Sequence, residues 1–284
     1  MNIAEKYQKE FVISFEVFPP KTDRGMENLV SALKDLKKYE PGFISVTYGA
    51  GGSTREKTLD IAMIIRDQLH MLPLVHFTCV GAGRDEIREY LEHVKELGLD
   101  NIMALRGDPP AGETGFTPHP DGFSYASQLV EFIHQMDGFS IGVAGYPEGH
   151  IEAPDLETDI HNLKKKVDAG SEFIITQLFF DNEDYYRFID KTRAAGIDVP
   201  IVPGIMPVTN FSQIEKVTQM CAPKIPASLT EALEQCDSKE TMCEAGIRYT
   251  INQCRELKEW GVPGFHFYTL NRSGVVSTIL DAIM

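Results

Sequence analysis

Polar and titratable side chains interrupt several short apolar runs of this sequence. Glu16 lies inside VISFEVF, His76 inside PLVHFTC and Gln177 inside FIITQLFF. A carboxylate in an apolar segment costs free energy unless it has a partner, such as Lys21, or a chemical role. A lone histidine in a strand is more often a core residue than a catalytic one. Carboxyl and imidazole groups in such positions favour proton-transfer chemistry.

Further polar residues stand at the ends of the same runs. Arg106, Gly107 and Asp108 end the fourth run, and Tyr268 ends the last one shortly before Arg272. Asp108 could cap a turn or form an ion pair with Arg106. Two acids, a histidine, an amide, two arginines and several tyrosines together suit proton donation and the binding of a flat, polar, aromatic ligand.

Several other chemistries are disfavoured by the sequence. None of the apolar runs contains a lysine, which argues against a Schiff-base aldolase. The common zinc motifs and the G-x-S-x-G nucleophile motif are missing. A metal-dependent barrel lyase or hydrolase is kept as an alternative, with Glu16, His76 and Asp108 as its oxygen and nitrogen ligands.

The elements that must position these residues alternate along the chain. Apolar, β-rich runs are continuously hydrophobic, as is typical of parallel strands covered on both faces. Periodic apolar stripes between them predict helices. The predicted strands are 12–18, 43–48, 73–79, 101–107, 140–146, 173–180, 201–206 and 264–270, and the predicted helices include 58–68, 84–98, 159–169, 182–195 and one that opens at Asn210 and Gln213.

Eight strand–helix units predict an α/β fold, the (β/α)8 TIM barrel, whose chemistry lies at the carboxyl ends of the strands. The rival is a doubly wound open sheet, but no G-x-G-x-x-G follows any strand. We expect one domain over 1–284, with a leader at 1–11 and an insertion at 223–240. The Pro- and Gly-rich segment 109–123 is predicted to be a lid or binding loop.

Composition excludes some classes of partner. The 284 residues include 27 basic and 42 acidic side chains, a net charge of −15. A nucleic-acid partner is not expected, because an acidic chain repels phosphates. No membrane partner is expected, since the apolar runs are far shorter than the roughly 20 residues that span a bilayer. A polar start and five cysteines without a C-x-x-C pair predict a cytoplasmic protein with free thiols.

Nine motifs in order resemble a known family over about residues 12–275. They are SFEVFPPKT, SVTYGAGGSTR, HFTC, ALRGDPP, YPEGH, DIHNLKKKVDAG, ITQLFFD, PGIMPVTNF and FHFYTLNR. The chain thus resembles methylenetetrahydrofolate reductase of the bacterial flavoprotein type. The resemblance implies ping-pong hydride transfer from NADH or NADPH, through bound FAD, to 5,10-methylenetetrahydrofolate, giving 5-methyltetrahydrofolate for one-carbon and methionine metabolism. It also implies a homo-oligomer, and it leaves an electron-donor protein open as the source of electrons.

The resemblance assigns roles to the two acids. Glu16 matches a general acid that protonates the folate, which requires burial to raise its pKa. Asp108 matches an aspartate at the pyrimidine edge of the flavin that also touches the substrate. A guanidinium suits the glutamate tail of folate because it binds a carboxylate with two parallel hydrogen bonds. The implied substrate-binding residues are Asp108, Gln177, Gln213, Tyr268 and Arg272.

Most of the implied residues serve the cofactors. Thr47 matches a contact to the nicotinamide donor, and Lys165 and Lys166 match contacts to the pyrophosphate of FAD, although a lysine run is usually a solvated helix face. The other implied flavin residues are Tyr48, Ala50, His76, Arg106, Gly107, Asp108, Tyr125, Ala126, Tyr146, His150, Ala153, Asp159 and Asn162.

Three departures from the family pattern are visible. The loop at 109–123 is longer than in compact bacterial relatives, and Val217 stands where some relatives carry a phenylalanine that stacks on the substrates. The sequence stops at Met284, so we expect neither a regulatory domain nor control by S-adenosylmethionine.

Overall fold

A computed structural model describes residues 2–48, 55–108, 117–221 and 223–284, with the backbone alone at 216, 217 and 219–221. Its strands form one parallel sheet in the order β7-β6-β5-β4-β3-β2-β1-β9-β8. The strands are β1 Val12–Val17, β2 Phe43–Val46, β3 Pro73–Thr78, β4 Asn101–Leu105, β5 Ser140–Gly145, β6 Phe173–Thr176, β7 Ile201–Val202, β8 Gly204–Ile205 and β9 Gly264–Tyr268.

The seventh predicted strand is broken in two at Pro203. Proline has no N–H to give to a neighbouring strand, but its carbonyl oxygen accepts a hydrogen bond from the backbone N–H of His266 (3.0 Å). The first half, β7, pairs with β6, and the second half, β8, pairs with β9. The broken strand therefore brings the two edges of the sheet together, and the predicted (β/α)8 barrel is confirmed.

Helices lie between the strands, close to the predicted positions. The predicted helix 58–68 consists of α3 and one π-helical turn, Ile64–Gln68, and the segment 223–240 contains a helix of its own, α9. The helices are α1 Ile3–Tyr7, α2 Asp23–Leu36, α3 Arg55–Met63, α4 Arg84–Glu96, α5 Ala126–Gln135, α6 Leu156–Asp168, α7 Asn182–Ala194, α8 Phe211–Cys221, α9 Ala227–Glu234, α10 Lys239–Trp260 and α11 Gly274–Ile283. None of them, in the described ranges, is long and apolar enough to span a membrane.

The expected leader at 1–11 is packed against the barrel. Ile3 and Tyr7 of α1 are buried, and the Tyr7 ring contacts Phe43 and Phe173 at centroid distances of 6.2 and 6.1 Å. Asn2 donates from Nδ2 to the carboxylate of Glu172 (3.2 Å). The N-terminal helix therefore plugs one end of the barrel with apolar side chains, which leaves the opposite end for polar groups.

Strand alternation separates two kinds of side chain on β1. Ile13, Phe15 and Val17 belong to the large core between sheet and helices. Val12 packs instead in the cluster that contains α1. Because successive side chains point to opposite faces of a strand, Ser14 and Glu16 share the inner face with Val12. Glu16 is therefore the inward-facing polar residue that lies nearest the carboxyl end of β1.

Gly204 leaves no room for a side chain at the seam of the barrel. A Cβ atom there would lie 2.2 Å from the carbonyl oxygen of Thr176 and 2.8 Å from the hydroxyl of Tyr268. We expect Gly204→Ala to lower the free energy of unfolding by about 3 kcal/mol, because the seam must open to admit the methyl group. Urea denaturation measures the loss.

Gly274, at the first residue of α11, is the matched control for this seam. A Cβ atom there meets no atom within 4 Å, so Gly274→Ala should change the unfolding free energy by less than about 0.5 kcal/mol. Equal urea midpoints for the two variants would contradict the seam argument.

Candidate active site

Glu16 lies between two histidines in the interior of the barrel. Its Oε2 is 3.6 Å from Nε2 of His76 on β3 and 3.6 Å from Nε2 of His266 on β9. The Glu16 side chain is 21 % exposed, whereas both imidazoles are buried. The carboxylate thus faces imidazoles rather than Lys21, and part of it can still be reached from the mouth of the barrel.

The pKa of Glu16 does not follow the sequence-based expectation. Burial by itself would raise the pKa of this carboxyl, but the contact with His266 and the charges of the neighbouring histidines outweigh burial and lower it. The expected upward shift is therefore wrong for the site without its ligands. The reason is a histidine 250 positions away in the sequence, which the motif around Glu16 does not show.

His76 shows the opposite balance. Burial lowers the pKa of His76 to about 4, and the negative charge of Glu16 opposes this shift only in part. Its Nε2 has no hydrogen-bond partner among the described residues. A neutral imidazole at physiological pH therefore forms one wall of the Glu16 site.

A cavity of about 520 Å³ opens at the carboxyl ends of β4 and β5, beside α5 and α6. Its volume lies in the range of small-molecule and cofactor sites. Ten residues expected to bind the cofactor line it: Arg106, Tyr125, Ala126, Tyr146, His150, Ala153, Asp159, Asn162, Lys165 and Lys166.

The three lysines of the run 164–166 have different surroundings. Lys164 pairs with Asp168 on the helix surface, and Lys165 is exposed with Nζ 3.4 Å from Oδ1 of Asn162. Lys166 is half-buried and donates from Nζ to the carbonyl oxygen of Ala144 (2.6 Å). A solvated helix face, which is the usual interpretation of a lysine run, therefore describes Lys164 but not Lys166.

Lys166 and Asp159 form a pair of opposite charges in the lining of the cavity. Burial lowers the pKa of Lys166 to about 8, partly opposed by the negative charge of Asp159. Burial likewise raises the pKa of Asp159, against the charge of Lys166. The Lys166 amine also lies 5.9 Å from the centroid of the Tyr146 ring. An anion entering the cavity would favour the charged form of Lys166.

Arg106 is held by an acid that the sequence did not single out. Its guanidinium binds both carboxylate oxygens of Glu152, with 2.8 Å between Nη2 and Oε1. Glu152 also lines the cavity, so this bidentate pair joins β4 to the loop after β5. The suggested ion pair of Arg106 with Asp108 is replaced by Glu152, while Asp108 is exposed.

Gly107 allows the turn between Arg106 and Asp108. Its φ is +91°, and a Cβ atom would lie 2.7 Å from Cγ1 of Val80. The structure places this residue and Asp108 at the end of β4, next to the cavity but not in its lining. The loop residues 109–116, which belong to the predicted lid, lie outside the described part of the chain.

The expected contacts near β2 lie on another side of the barrel mouth. The hydroxyl of Tyr48 accepts a hydrogen bond from Nε of Arg55, and its ring contacts Phe77 edge-on at 5.8 Å. The carbonyl oxygen of Thr47 accepts from the hydroxyl of Thr58 (3.0 Å). Neither Thr47 nor Tyr48 lines the large cavity, and Ala50 lies outside the described residues.

Gln177 lies in a smaller neighbouring cavity of about 230 Å³. This space shares Tyr146 and His150 with the large cavity, so the two adjoin at the end of β5. Oε1 of Gln177 accepts from the backbone N–H of Leu178 (2.9 Å). Gln177 is thus anchored beside the cavity that holds most of the expected cofactor residues.

The other three expected substrate residues have separate positions. The amide of Gln213 bonds to its own loop, accepting from the backbone N–H of Thr209 and donating to the carbonyl of Pro207, both at 2.9 Å. The hydroxyl of Tyr268 donates to the carbonyl of Thr176 (2.8 Å). Arg272 is exposed after β9. The side chain of Val217 lies outside the described residues.

His266 and Glu152 are the residues that sequence reasoning missed. Two-residue alternation places His266 on the same face of β9 as Tyr268, and this signal could have identified it. Glu152 follows His150 in a loop without periodicity, so no comparable signal marks it.

No three His, Cys, Asp or Glu side chains among the described residues are grouped to hold a metal ion. Glu16 and His76 adjoin, but the exposed Asp108 does not complete the ligand set of the metal-dependent alternative. The arrangement therefore gives that alternative no support.

Comparison with known proteins gives one consistent family. The family model for methylenetetrahydrofolate reductase matches residues 2–284. Methylenetetrahydrofolate reductase (NADH) 1 of Arabidopsis thaliana is 42% identical over 282 residues, covering 95% of this chain and 47% of the plant protein. The 5,10-methylenetetrahydrofolate reductase of Escherichia coli (strain K12) is 41% identical over 273 residues, covering 96% of this chain and 90% of that protein.

The chain spans about half the length of the plant and fission-yeast relatives that it matches. Among solved structures, a Clostridium thermocellum protein that binds two copies of 5-methyl-5,6,7,8-tetrahydrofolic acid superposes with a TM-score of 0.65 at 15% identity, covering 98% of this chain and 96% of that one. At such identity the likeness concerns the fold alone. The family model and the relatives at about 40% identity show that the chain belongs to the methylenetetrahydrofolate reductase family.

Proposed function

We propose that this chain reduces 5,10-methylenetetrahydrofolate to 5-methyltetrahydrofolate, with bound FAD as cofactor and NADH or NADPH as donor. The relatives at about 40% identity carry the name of this activity. The observation that carries the proposal is the single cavity of about 520 Å³ that gathers ten of the expected cofactor residues from four separate stretches of sequence. We place the reaction in cytoplasmic one-carbon metabolism and expect a homo-oligomer.

The residues of the large cavity fit FAD. Lys166, whose amine donates to a backbone carbonyl and lies near the negative charge of Asp159, suits the pyrophosphate, and the exposed Lys165 adds a second positive charge. Arg106, oriented by Glu152, suits the polar edge of the flavin ring. FAD, when bound, supplies the hydride chemistry that amino-acid side chains lack.

The folate is expected to occupy the space toward Gln177. A side-chain amide can donate and accept at once, as the pterin ring requires. Tyr268 and Gln213 hold the rim of the barrel through their bonds to backbone carbonyls. The exposed Arg272 can bind the glutamate tail by parallel hydrogen bonds.

Glu16 is the group that moves a proton to the substrate. The five-membered ring of the folate opens to a cationic iminium when its nitrogen is protonated, and a carboxyl group within reach can supply that proton. In the site without ligands the pKa of Glu16 is low. Rings stacked over the barrel mouth would remove its remaining 21 % exposure and thereby raise this pKa. The exposed Asp108 would stabilise the positive charge of the iminium.

The proposal is tested by an anaerobic experiment on the purified protein loaded with FAD. We expect 5,10-methylenetetrahydrofolate to restore the yellow flavin absorbance after dithionite reduction. A flavin that stays reduced would overturn the folate assignment, and a protein that retains no FAD would overturn the cofactor assignment. NADH and NADPH are then compared as donors, and failure of both despite bound FAD would mean that a partner protein supplies the electrons.

A further inference from the structure

His266 is fully buried on the inner face of β9, beside the carboxyl group of Glu16. Its ring stacks on Phe43, with 5.8 Å between centroids, and Tyr268 contacts its face edge-on at 5.6 Å. Its Nε2 lies 3.6 Å from Oε2 of Glu16 and 3.4 Å from Oγ of Ser45. Stacking and burial fix the ring, so that one nitrogen always points toward Glu16.

Ser14 decides which nitrogen of this ring can exchange a proton. Its Oγ lies 2.8 Å from Nδ1 of His266 and donates to the carbonyl oxygen of Phe265 (3.2 Å). A hydroxyl has one hydrogen, so when Oγ gives it to the carbonyl of Phe265 its lone pairs accept from Nδ1, and the ring then carries its hydrogen on Nδ1. In that tautomer Nε2, which faces Glu16, is the nitrogen with a free lone pair.

The second histidine at this carboxylate lacks such support. Nε2 of His76 is equally close to Oε2 of Glu16, but this nitrogen has no hydrogen-bond partner among the residues for which the structure is described. Burial lowers its pKa to about 4. His76 therefore stays neutral at physiological pH and supplies no proton.

We propose that His266 is the proton partner of Glu16: its Nε2 passes a proton to Oε2 of the carboxylate when the two atoms close from 3.6 Å to hydrogen-bond distance. The inference rests on the proposed function, since it concerns the proton that Glu16 gives to the folate. Before the transfer to folate, the N–H bond at Nε2 of the imidazolium breaks as an O–H bond forms at Oε2. Glu16 then gives this proton to the folate nitrogen, which leaves a carboxylate and a neutral imidazole, and one proton taken up from the solvent restores the imidazolium. Charge and electrons balance, because only a proton moves.

This arrangement lets an acid with a low pKa work at neutral pH. The neighbouring histidines hold the pKa of Glu16 below its usual value, so a proton delivered through Nε2 of His266 is a supply that the carboxyl group by itself lacks at neutral pH. The titratable groups that face His266 are Glu16 from β1, His76 from β3, and Tyr268 from its own strand, while Tyr7 of α1 reaches Ser14. His266 is a positioning residue because it acts on the substrate through Glu16.

The test uses His266→Gln in the FAD-loaded enzyme, over pH 5 to 9. We expect reoxidation of the reduced flavin by 5,10-methylenetetrahydrofolate to slow at least about tenfold at pH 7.5, and its alkaline limb to move down by about one pH unit. Reduction of the flavin by the nicotinamide donor should stay within about twofold. Ser14→Ala, a smaller change, should move the limb in the same direction. An unmoved limb in both variants would overturn the inference.

A second measurement needs neither cofactor nor substrate. In ¹⁵N NMR of the ligand-free protein, we expect Nδ1 of His266 to keep its hydrogen at every pH, Nε2 alone to titrate, and Glu16→Gln to change the Nε2 curve. Titration at Nδ1, or an Nε2 curve insensitive to Glu16→Gln, would refute the pair. If the wild type fails to reoxidise its flavin, the proposed function fails, while the NMR result still decides on the pair.

Discussion

Glu16→Gln should leave reduction of the flavin by the nicotinamide donor within about twofold and slow its reoxidation by 5,10-methylenetetrahydrofolate at least about 100-fold. A positioned general acid contributes typically 10² to 10⁴ to a rate. Glutamine keeps the size of the side chain and its place between the imidazoles of His76 and His266, but its amide has no acidic proton to give. Rapid-mixing absorbance measurements of the two half-reactions separate the effects.

The donor half-reaction of the same variant is the internal control for this prediction. It reports whether the variant folds, binds FAD and admits the nicotinamide, none of which requires an acid at Glu16. Equal loss of both half-reactions would mean that Glu16 holds the site together rather than donating a proton. Unchanged reoxidation would remove Glu16 from the mechanism.

The architecture could be predicted from the sequence because it depends on local patterns. Apolar runs separated by helical stripes specify parallel strands with crossovers, and eight of them predicted the barrel that the structure confirms. The break at Pro203 was not predicted, because it depends on which strands lie on either side. The first half of the broken strand pairs with β6 and the second half with β9, and the local sequence does not show these partners. The sequence predicts a leader at 1–11 but not its packing, since five helical residues carry too little periodicity to indicate a buried face.

The site residues that lie within family motifs could be predicted from the sequence. The contacts between residues on strands far apart in the sequence could not. Family motifs named ten residues of the large cavity. The pKa of Glu16 was predicted in the wrong direction, because His266 reaches it only when β9 pairs with β1. The role of Glu152 as partner of Arg106 likewise depends on two loops that the sequence keeps 46 residues apart.

Lys166→Met should weaken FAD binding about 30-fold, the equivalent of roughly 2 kcal/mol for the loss of a partly buried charged contact. Methionine retains the apolar stem but removes the amine, which donates to the carbonyl oxygen of Ala144 in the lining of the cavity. Lys165→Met is the matched control on the next residue of α6. Because Lys165 is exposed, its removal should cost less than about threefold. Fluorescence titration of the FAD-free protein measures both, and equal losses would show that the run acts as diffuse positive charge.

The pH dependence of FAD binding tests the same lysine without a mutation. Burial lowers the pKa of Lys166 to about 8 in the ligand-free protein, and the negative pyrophosphate should raise it in the complex. Binding must then take up a proton wherever the free amine is neutral, so affinity stays constant below pH 8 and falls above it. At pH 9 about one tenth of the free protein carries the charged amine, and the affinity should be about tenfold weaker than at pH 7. Lys166→Met should abolish this slope while Lys165→Met retains it, because the lowered pKa belongs to the amine of Lys166.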